Sequence, residues 1–310
     1  MHHVFISMDP GIDDALALLV ALKCKNIKIE GISASYGNAP LEDTFRNSRD
    51  ILSMFDREDI KVYKGAKKPL VDQPHFPGDV HGKNGINELQ IPSSKAPVEK
   101  KDSFDAIYSV AKRLKGELEL VMLGPSTDFA LLYLRYPDIT KYIKKIYIMG
   151  GALLGGNRSP QAEFNIFADP VSSEMLFDSN IKIYMFPLDV TMSSFFTEEE
   201  LQEIIKTDNK AGRFIGDLTT NIMDFYLTHT GKKYFYFHDG CPLIYLENPS
   251  LFKGYNCTVK VESYGKLTYG KTICDLDSDI KFAGKKNAKV FLQVKREEFF
   301  SFCKDKFSSY

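Results

Sequence analysis

The sequence predicts an α/β fold: one open, Rossmann-like, mostly parallel sheet flanked by helices, with an antiparallel hairpin late in the chain. Three observations predict it. β-prone runs alternate with segments of helical apolar spacing, the pattern of βαβ units on a parallel sheet. The 310 residues can bury the core of one large domain, and neither a repeat nor a low-complexity linker divides them, so 1–310 reads as a single domain. Polar residues able to carry chemistry also cluster directly behind the expected strands, where parallel sheets bind ligands.

The elements follow in order. Residues 4–7 form a short strand that stops at Asp9-Pro10-Gly11, and apolar residues then recur at helical spacing through Ala15, Leu18, Leu19 and Leu22. A strand over 27–34, a helix over 41–55 and a strand over 60–63 come next. From 65 to about 101 the chain is rich in Pro, Gly and polar residues, a loop long enough to be functional or mobile. It contains His81-Gly82-Lys83-Asn84-Gly85. Helices over 104–114, 127–134 and 170–177 then alternate with strands over 118–123, 145–149 and 181–186. Residues 198–227 are mainly helical. The late hairpin is expected over 258–264 and 266–273, turned at Gly265, and a strand over 289–294 with a helix from 297 closes the chain.

Forty Lys and Arg against 41 Asp and Glu leave a charge of -1, without the basic surplus that marks a nucleic-acid binder. The paired lysines at 67–68, 100–101, 144–145 and 232–233 are scattered and read as solvated surface. No apolar run is long enough to span a bilayer, so no membrane partner is expected. The first six residues lack a charged n-region and a cleavage site. Cys24, Cys241, Cys257, Cys274 and Cys303 are far apart, with no CxxC pair, and read as reduced thiols. A cytoplasmic protein is the expectation.

The strand ends are biased toward carboxylates and carboxamides. Asp9, Asp13 and Asp14 follow the first strand, Tyr36-Gly37-Asn38 the second and Leu123-Gly124-Pro125-Ser126-Thr127 the fourth. Met149-Gly150-Gly151 follows the fifth, with Asn157 and Glu163-Phe164-Asn165 in its loop, and His238-Asp239 comes after an aromatic run. No GxGxxG or GxxxxGK is present to cradle phosphate. Such oxygen clusters suit a hard divalent cation, calcium or magnesium. Locally, Pro10-Gly11 sets a tight turn, Asp13 is placed to cap the helix, Asp14 falls in its first turn, and Asp9 can fold back toward both. A cap and a turn alone would be the plainer reading. Three aspartates around Pro-Gly directly behind the first strand outweigh it. Tyr234-Phe235-Tyr236-Phe237 reads as packed core rather than as a stacking platform.

Asp9 to Asp14 resembles the signature Asp-x-Asp-Pro-Gly-x-Asp-Asp of the inosine-uridine preferring nucleoside hydrolases, with Ser7 in place of the first aspartate. The similarity extends over nearly the whole chain. Tyr36-Gly37-Asn38 resembles the family's Val-Gly-Asn, His81 to Gly85 its His-Gly-x-x-Gly loop, and Leu123-Gly124-Pro125 with Thr127 its Leu-Gly-Pro-Leu-Thr turn. Met149-Gly150-Gly151, Ala162 to Asn165 with Asp169-Pro170, and His238-Asp239 follow in the family's order.

This resemblance implies hydrolysis of ribonucleosides to free base and ribose. It implies a calcium ion on the side chains of Asp9, Asp14 and Asp239 and the carbonyl of Leu123, with Asp9 doubling as general base for the attacking water. Asp13, Asn157, Glu163 and Asn165 would bind the ribose hydroxyls, with Asn38 beside them. His238 would protonate or hydrogen-bond the leaving base, and His81 would make a base-side contact. Relatives assemble as homodimers or homotetramers, so an oligomer is implied. The chemistry asks for these residue types: carboxylates favour the oxocarbenium-like ribose, a metal acidifies water, and histidine is tuned for proton donation.

Some features depart from the pattern. Ser7 loosens the orientation of the ligands, Lys83-Asn84 changes the lid loop, and 224–236 is shorter than in relatives. Phe225, Tyr226 and His229 lie near that stretch without an assigned role. One purine-selective branch stacks the base between tryptophans, and this chain has none. A pyrimidine-preferring or nonspecific hydrolase is therefore expected, with a purine-preferring one as alternative. A metal-dependent phosphatase would want Asp-x-Asp where Gly11 stands, and the full carboxylate set argues against a silent nucleoside-binding protein.

Overall fold

A computed structural model describes residues 1–74, 76, 78–220, 222–276 and 286–310. Its strands are β1 (His2–Met8), β2 (Ile27–Ala34), β3 (Val62–Lys64), β4 (Leu118–Met122), β5 (Ile143–Met149), β6 (Ile183–Phe186), β7 (Phe195–Thr197), β8 (Tyr234–Tyr236), β9 (Phe252–Val261), β10 (Thr272–Asp275) and β11 (Ala288–Val294). Nine of them form one sheet in the order β10-β9-β11-β6-β5-β4-β1-β2-β3, and β7 pairs antiparallel with β8 apart from it. Within the described sheet only β9 runs against its neighbours. The expected α/β architecture is what the chain adopts.

From β1 the chain builds outward through β2 and β3, then returns to the other side for β4, β5 and β6. The order therefore reverses between β1 and β4, and the crevice at that point lies at the carboxyl ends of the strands. Register brings the ends level: Ser7 of β1 faces Ser33 of β2 and Met122 of β4. Val4 to Met8 are buried, as both faces of a parallel sheet are covered. The helix Ile12–Leu22 behind β1 is buried from Ile12 to Ala21, because helices Lys210–Thr219, Gly240–Glu247 and Arg296–Ser308 also pack on it. That enclosure explains why it is apolar all round rather than striped. Truncating Leu18 or Leu19 to alanine there costs about 2–5 kcal/mol.

Several elements differ from expectation. The late hairpin begins earlier: β9 starts at Phe252 and pairs first with β11, then with β10. Lys253, Gly254 and Asn256 are poor strand formers, which hid its first half. Gly254 is required there, since a Cβ would stand 2.7 Å from the Phe291 ring. Residues 262–271 form a loop rather than a tight turn at Gly265, closed by Gly270 N–H donating to Glu262 O at 2.8 Å. The stretch 198–227 resolves into helices Glu198–Ile205, Lys210–Thr219 and Ile222–Thr230, with Asp208 at φ 50° and an Asn209 cap between the first two. The aromatic run forms β8, with Phe235 and Phe237 buried in the core, as expected. Five cysteines are free, four of them buried. No helix among the described residues is long and apolar enough to cross a membrane.

Candidate active site

A cavity of about 560 Å³ opens at the switch point between β1 and β4. Its floor is built by the turn behind β1. Asp13 does not cap the helix, contrary to expectation: Gly11 holds the cap position, and Asp13 and Asp14 both lie in the first turn. Asp14 Oδ2 reaches back to accept the Gly11 N–H at 2.9 Å, so the capping is done by Asp14 and the Asp13 carboxylate is left for the cavity. A Cβ on Gly11 would stand 2.6 Å from Asn38 Nδ2 and 2.7 Å from His81 Nδ1, which is why the turn needs glycine.

Asp9 is wedged between two backbones. A Cβ on Gly37 would collide with its Oδ2, and one on Gly124 would lie 2.5 Å from its Oδ1. The Asn38 N–H donates to Asp9 Oδ2 at 2.7 Å, while Asn38 Nδ2 donates to Asp9 O at 3.2 Å and Asp14 Oδ2 at 3.1 Å. Asn38 thus holds two carboxylates as well as lining the cavity. Asp239, at the start of helix Gly240–Glu247, makes no side-chain cap bond. One oxygen from each of Asp13, Asp14 and Asp239 lies within 4.8 Å of the others, a ligand-spaced and buried trio. The expected ligand Asp9 stands beside this trio rather than in it.

Burial, reinforced by mutual repulsion, raises Asp9 and Asp239 well above the ordinary carboxylate range and Asp13 to about 7, and burial raises Asp14 as well. Asp9 Oδ1 and Asp14 Oδ1 are buried with no hydrogen-bond partner. A cation would relieve both the repulsion and the unmet acceptors. An all-oxygen donor set fits a hard divalent ion.

The second wall comes from the loop behind β5. Glu163 caps the helix Phe164–Ala168: Oε1 accepts the Asn165 N–H at 2.8 Å, and Oε2 accepts the N–H groups of Gly151 at 2.9 Å and Ile166 at 3.2 Å. Burial pushes its carboxyl up to about 7 despite these donors. Asn165 Nδ2 donates to Leu123 O at 2.7 Å and Met149 O at 3.1 Å, tying the ends of β4 and β5 together. Asn165 Oδ1 is therefore left to accept a hydrogen bond from a ligand. Asn157 is exposed, and its Oδ1 accepts the Phe164 N–H at 2.9 Å. It acts as the turn former that its residue type allows, while still lining the cavity.

Two histidines face each other across the opening. His81 Nδ1 accepts the Ile12 N–H at 3.1 Å, which places the ring proton on Nε2. Half-buried His238 has Nδ1 2.8 Å from Thr191 Oγ1, and enclosure together with His81 lowers it to about 4. It is neutral at pH 7. Beyond them the helix Ile222–Thr230 contributes Phe225, Tyr226, His229 and Thr230, with His229 stacked on Phe225 at 4.0 Å. Sequence reading left Arg158, Leu188 and Met192 unnoticed. Leu188 and Met192 follow β6, so extending the strand-end rule by one strand would have found them. Arg158 offers no comparable signal.

Fold and site together define an α/β protein that gathers carboxylates and carboxamides at a topological switch point. Residues 4–301 match the family described as inosine-uridine preferring nucleoside hydrolase, and the chain belongs to that family. It is 33% identical over 315 residues to the pyrimidine-specific ribonucleoside hydrolase RihA of Escherichia coli strain K12, covering 99% of this chain and 98% of that one. Against RihA of Klebsiella pneumoniae it is 33% identical over 302 residues, covering 96% and 95%. A plant nucleoside hydrolase superposes with a TM-score of 0.94 at 26% identity, over 100% of this chain and 99% of that one. A purine-preferring ribonucleoside hydrolase from Gardnerella vaginalis gives 0.92 at 29%, over 99% and 98%. The protein is a ribonucleoside N-glycosyl hydrolase.

Proposed function

We propose that the chain hydrolyses ribonucleosides to base and ribose at a calcium-dependent centre, with pyrimidine nucleosides preferred or both base classes accepted. The observation that carries this reading is the buried group of Asp9, Asp13, Asp14 and Asp239 with Asp9 Oδ1 and Asp14 Oδ1 unpartnered. Asp9, Asp14, Asp239 and the Leu123 carbonyl hold the ion, a set of hard oxygens suited to calcium. When bound, the ion lowers the pKa of water and anchors vicinal hydroxyls.

The remaining work belongs to the chain. Asp9, held by the Asn38 N–H, takes the proton of the attacking water. Asp13, Asn165 Oδ1 and Glu163 accept from the ribose hydroxyls and Asn157 Nδ2 donates to one, with Asn38 beside them. The surrounding carboxylates favour positive charge developing on the sugar. Neutral His238 and His81, whose proton sits on Nε2, donate hydrogen bonds to the departing base. Both RihA relatives are named pyrimidine-specific, and their identity exceeds that of the purine-preferring neighbour. The absence of tryptophan points the same way. We place the protein in the cytoplasm, where its five free cysteines stay reduced, and assemble it as a homodimer or homotetramer as the family resemblance implies.

A panel of uridine, cytidine and inosine assayed for reducing sugar, with and without chelator, tests the reading. Sugar release that stops on chelation and returns with calcium is the expected result. Phosphate release from nucleotides without base release, or tight nucleoside binding without product, would overturn it.

A further inference from the structure

Asp128 is buried and lies outside the cavity, in the first turn of the helix Thr127–Arg135 that follows β4. Its carboxylate collects donors from three strand ends. Ser7 Oγ of β1 donates to Oδ2 at 2.9 Å, Ser33 Oγ of β2 donates to the same oxygen, and the Ala66 N–H, two residues past β3, donates to Oδ1 at 2.6 Å. Gly65 is pressed against this node, since a Cβ there would stand 2.6 Å from both carboxylate oxygens and from Ser33 Oγ.

Each of these strand ends leads to the catalytic floor. Two residues beyond Ser7 stands Asp9. The Ala66 carbonyl accepts the Tyr36 N–H at 2.9 Å, and the Gly65 N–H donates to Ala34 O at 2.7 Å, so the β3 end holds the β2 end. Tyr36 leads directly to Gly37, which packs on Asp9, and to Asn38, which donates to it. Thr127, next to Asp128, donates to Asp169 Oδ2 at 2.7 Å and accepts from the Tyr36 hydroxyl at 3.0 Å. The helix start therefore grips the β2 loop through two neighbouring residues.

We infer that Asp128 is a positioning residue for the reaction, whose carboxylate gathers the ends of β1, β2 and β3 and so fixes where Asp9 and Asn38 present their polar atoms. Ser7 occupies the position where the family signature carries an aspartate. With Ser7 and Asp128 in direct contact, the carboxyl group of this buried node comes from the helix, and strand β1 supplies the hydroxyl. Two carboxylates at once would repel in that space. The inference rests on the reading of Asp9 as general base.

The test compares Asp128→Ala, Ser7→Asp and the double variant Ser7→Asp/Asp128→Ser with the parent protein. The readouts are kcat and KM for uridine, calcium affinity without substrate, and amide exchange over 35–38 and 65–70. Asp128→Ala is expected to lower kcat about 30-fold and weaken calcium binding about ten-fold with KM little changed, the scale of losing an outer-shell partner. Amide exchange at 37–38 accelerates. Ser7→Asp alone slows turnover, and the double variant regains most of it. Parent-like kcat and calcium affinity in folded Asp128→Ala, whatever its melting temperature, would overturn the positioning role. A double variant that fails to fold or to regain rate overturns the exchange of the carboxyl group between strand and helix. Should Asp128→Ala not fold, Ser33→Ala removes a single arm; a kcat reduced about three-fold or more at constant KM is expected, and an unchanged kcat and calcium affinity count against the inference. No nucleoside hydrolysis by the parent would instead remove the functional reading itself.

Discussion

The carboxylate-rich floor of the cavity and the wall carrying Phe225 and His229 come from different kinds of chain. The floor is made of the turn and first helical turn behind β1, the loop behind β5 and the residues directly after β8, and Asp9, Asp13, Asp14, Glu163, Asn165 and Asp239 are all buried. The wall is made by the helix Ile222–Thr230 and the loop carrying His81, and His229 and Thr230 are exposed. Floor residues are held by backbone N–H groups and by one another; on the wall, the His229 ring lies 2.8 Å from Phe225 O of its own helix. On the proposed reading, reaction type is built into buried, hydrogen-bonded residues and base preference into exposed ones.

Substitutions can break or sharpen this contrast. The largest effect is expected for Asp9→Ala, which should reduce turnover of uridine, cytidine and inosine alike by about 10³-fold or more, measured as reducing sugar released. Substantial activity toward any of the three would remove Asp9 from the centre of the floor. Asp13 and Asp9 compete for the place of third carboxylate ligand, and calcium titration of the two alanine variants decides between them. The expectation is that Asp9→Ala weakens calcium binding about 100-fold, whereas Asp13→Ala changes it little and raises KM. The reverse pattern would give the ion to the ligand-spaced trio.

On the wall, His229→Ala or Phe225→Ala should shift the uridine to inosine ratio of kcat/KM about ten-fold while calcium affinity stays at the parent value. Equal loss on both nucleosides would show that the wall does not select the base. The smallest effect concerns pH. Glu163 is raised to about 7, above its ordinary value near 4.5. The folded protein therefore holds a proton between about pH 4.5 and 7 that the unfolded chain has released, and stability from this group falls as pH rises through that window. Urea unfolding of Glu163→Gln should show a flatter decline between pH 5 and 7.5. An unchanged slope would place the titration elsewhere.

The sheet and the floor were legible because both depend on short-range patterns. Apolar runs ending in Asp-Pro-Gly or Gly-Gly mark strand ends, and strand ends in a parallel sheet share one side of the molecule. What sequence missed depends on long-range contact. Asp13 was assigned the cap because its residue type suits one, but Asn38 and His81, 25 or more positions away, crowd the turn so that only Gly11 fits and Asp14 closes it. The first half of β9 was hidden by Gly254, whose lack of a side chain answers to Phe291. Asn157 looks like either a sugar ligand or a turn former, and only the position of the Phe164 N–H shows that its Oδ1 serves the turn.

The helix behind β1 has a consequence for how the enzyme is lost. Asp13 and Asp14 sit at the end of a rod enclosed from Ile12 to Ala21, so this part of the floor shares the packing of that rod. Opening it requires disrupting the packing of the sheet and three further helices. Heat inactivation and global melting should then trace one curve, and refolded protein should recover its cation site and its core in the same kinetic phase.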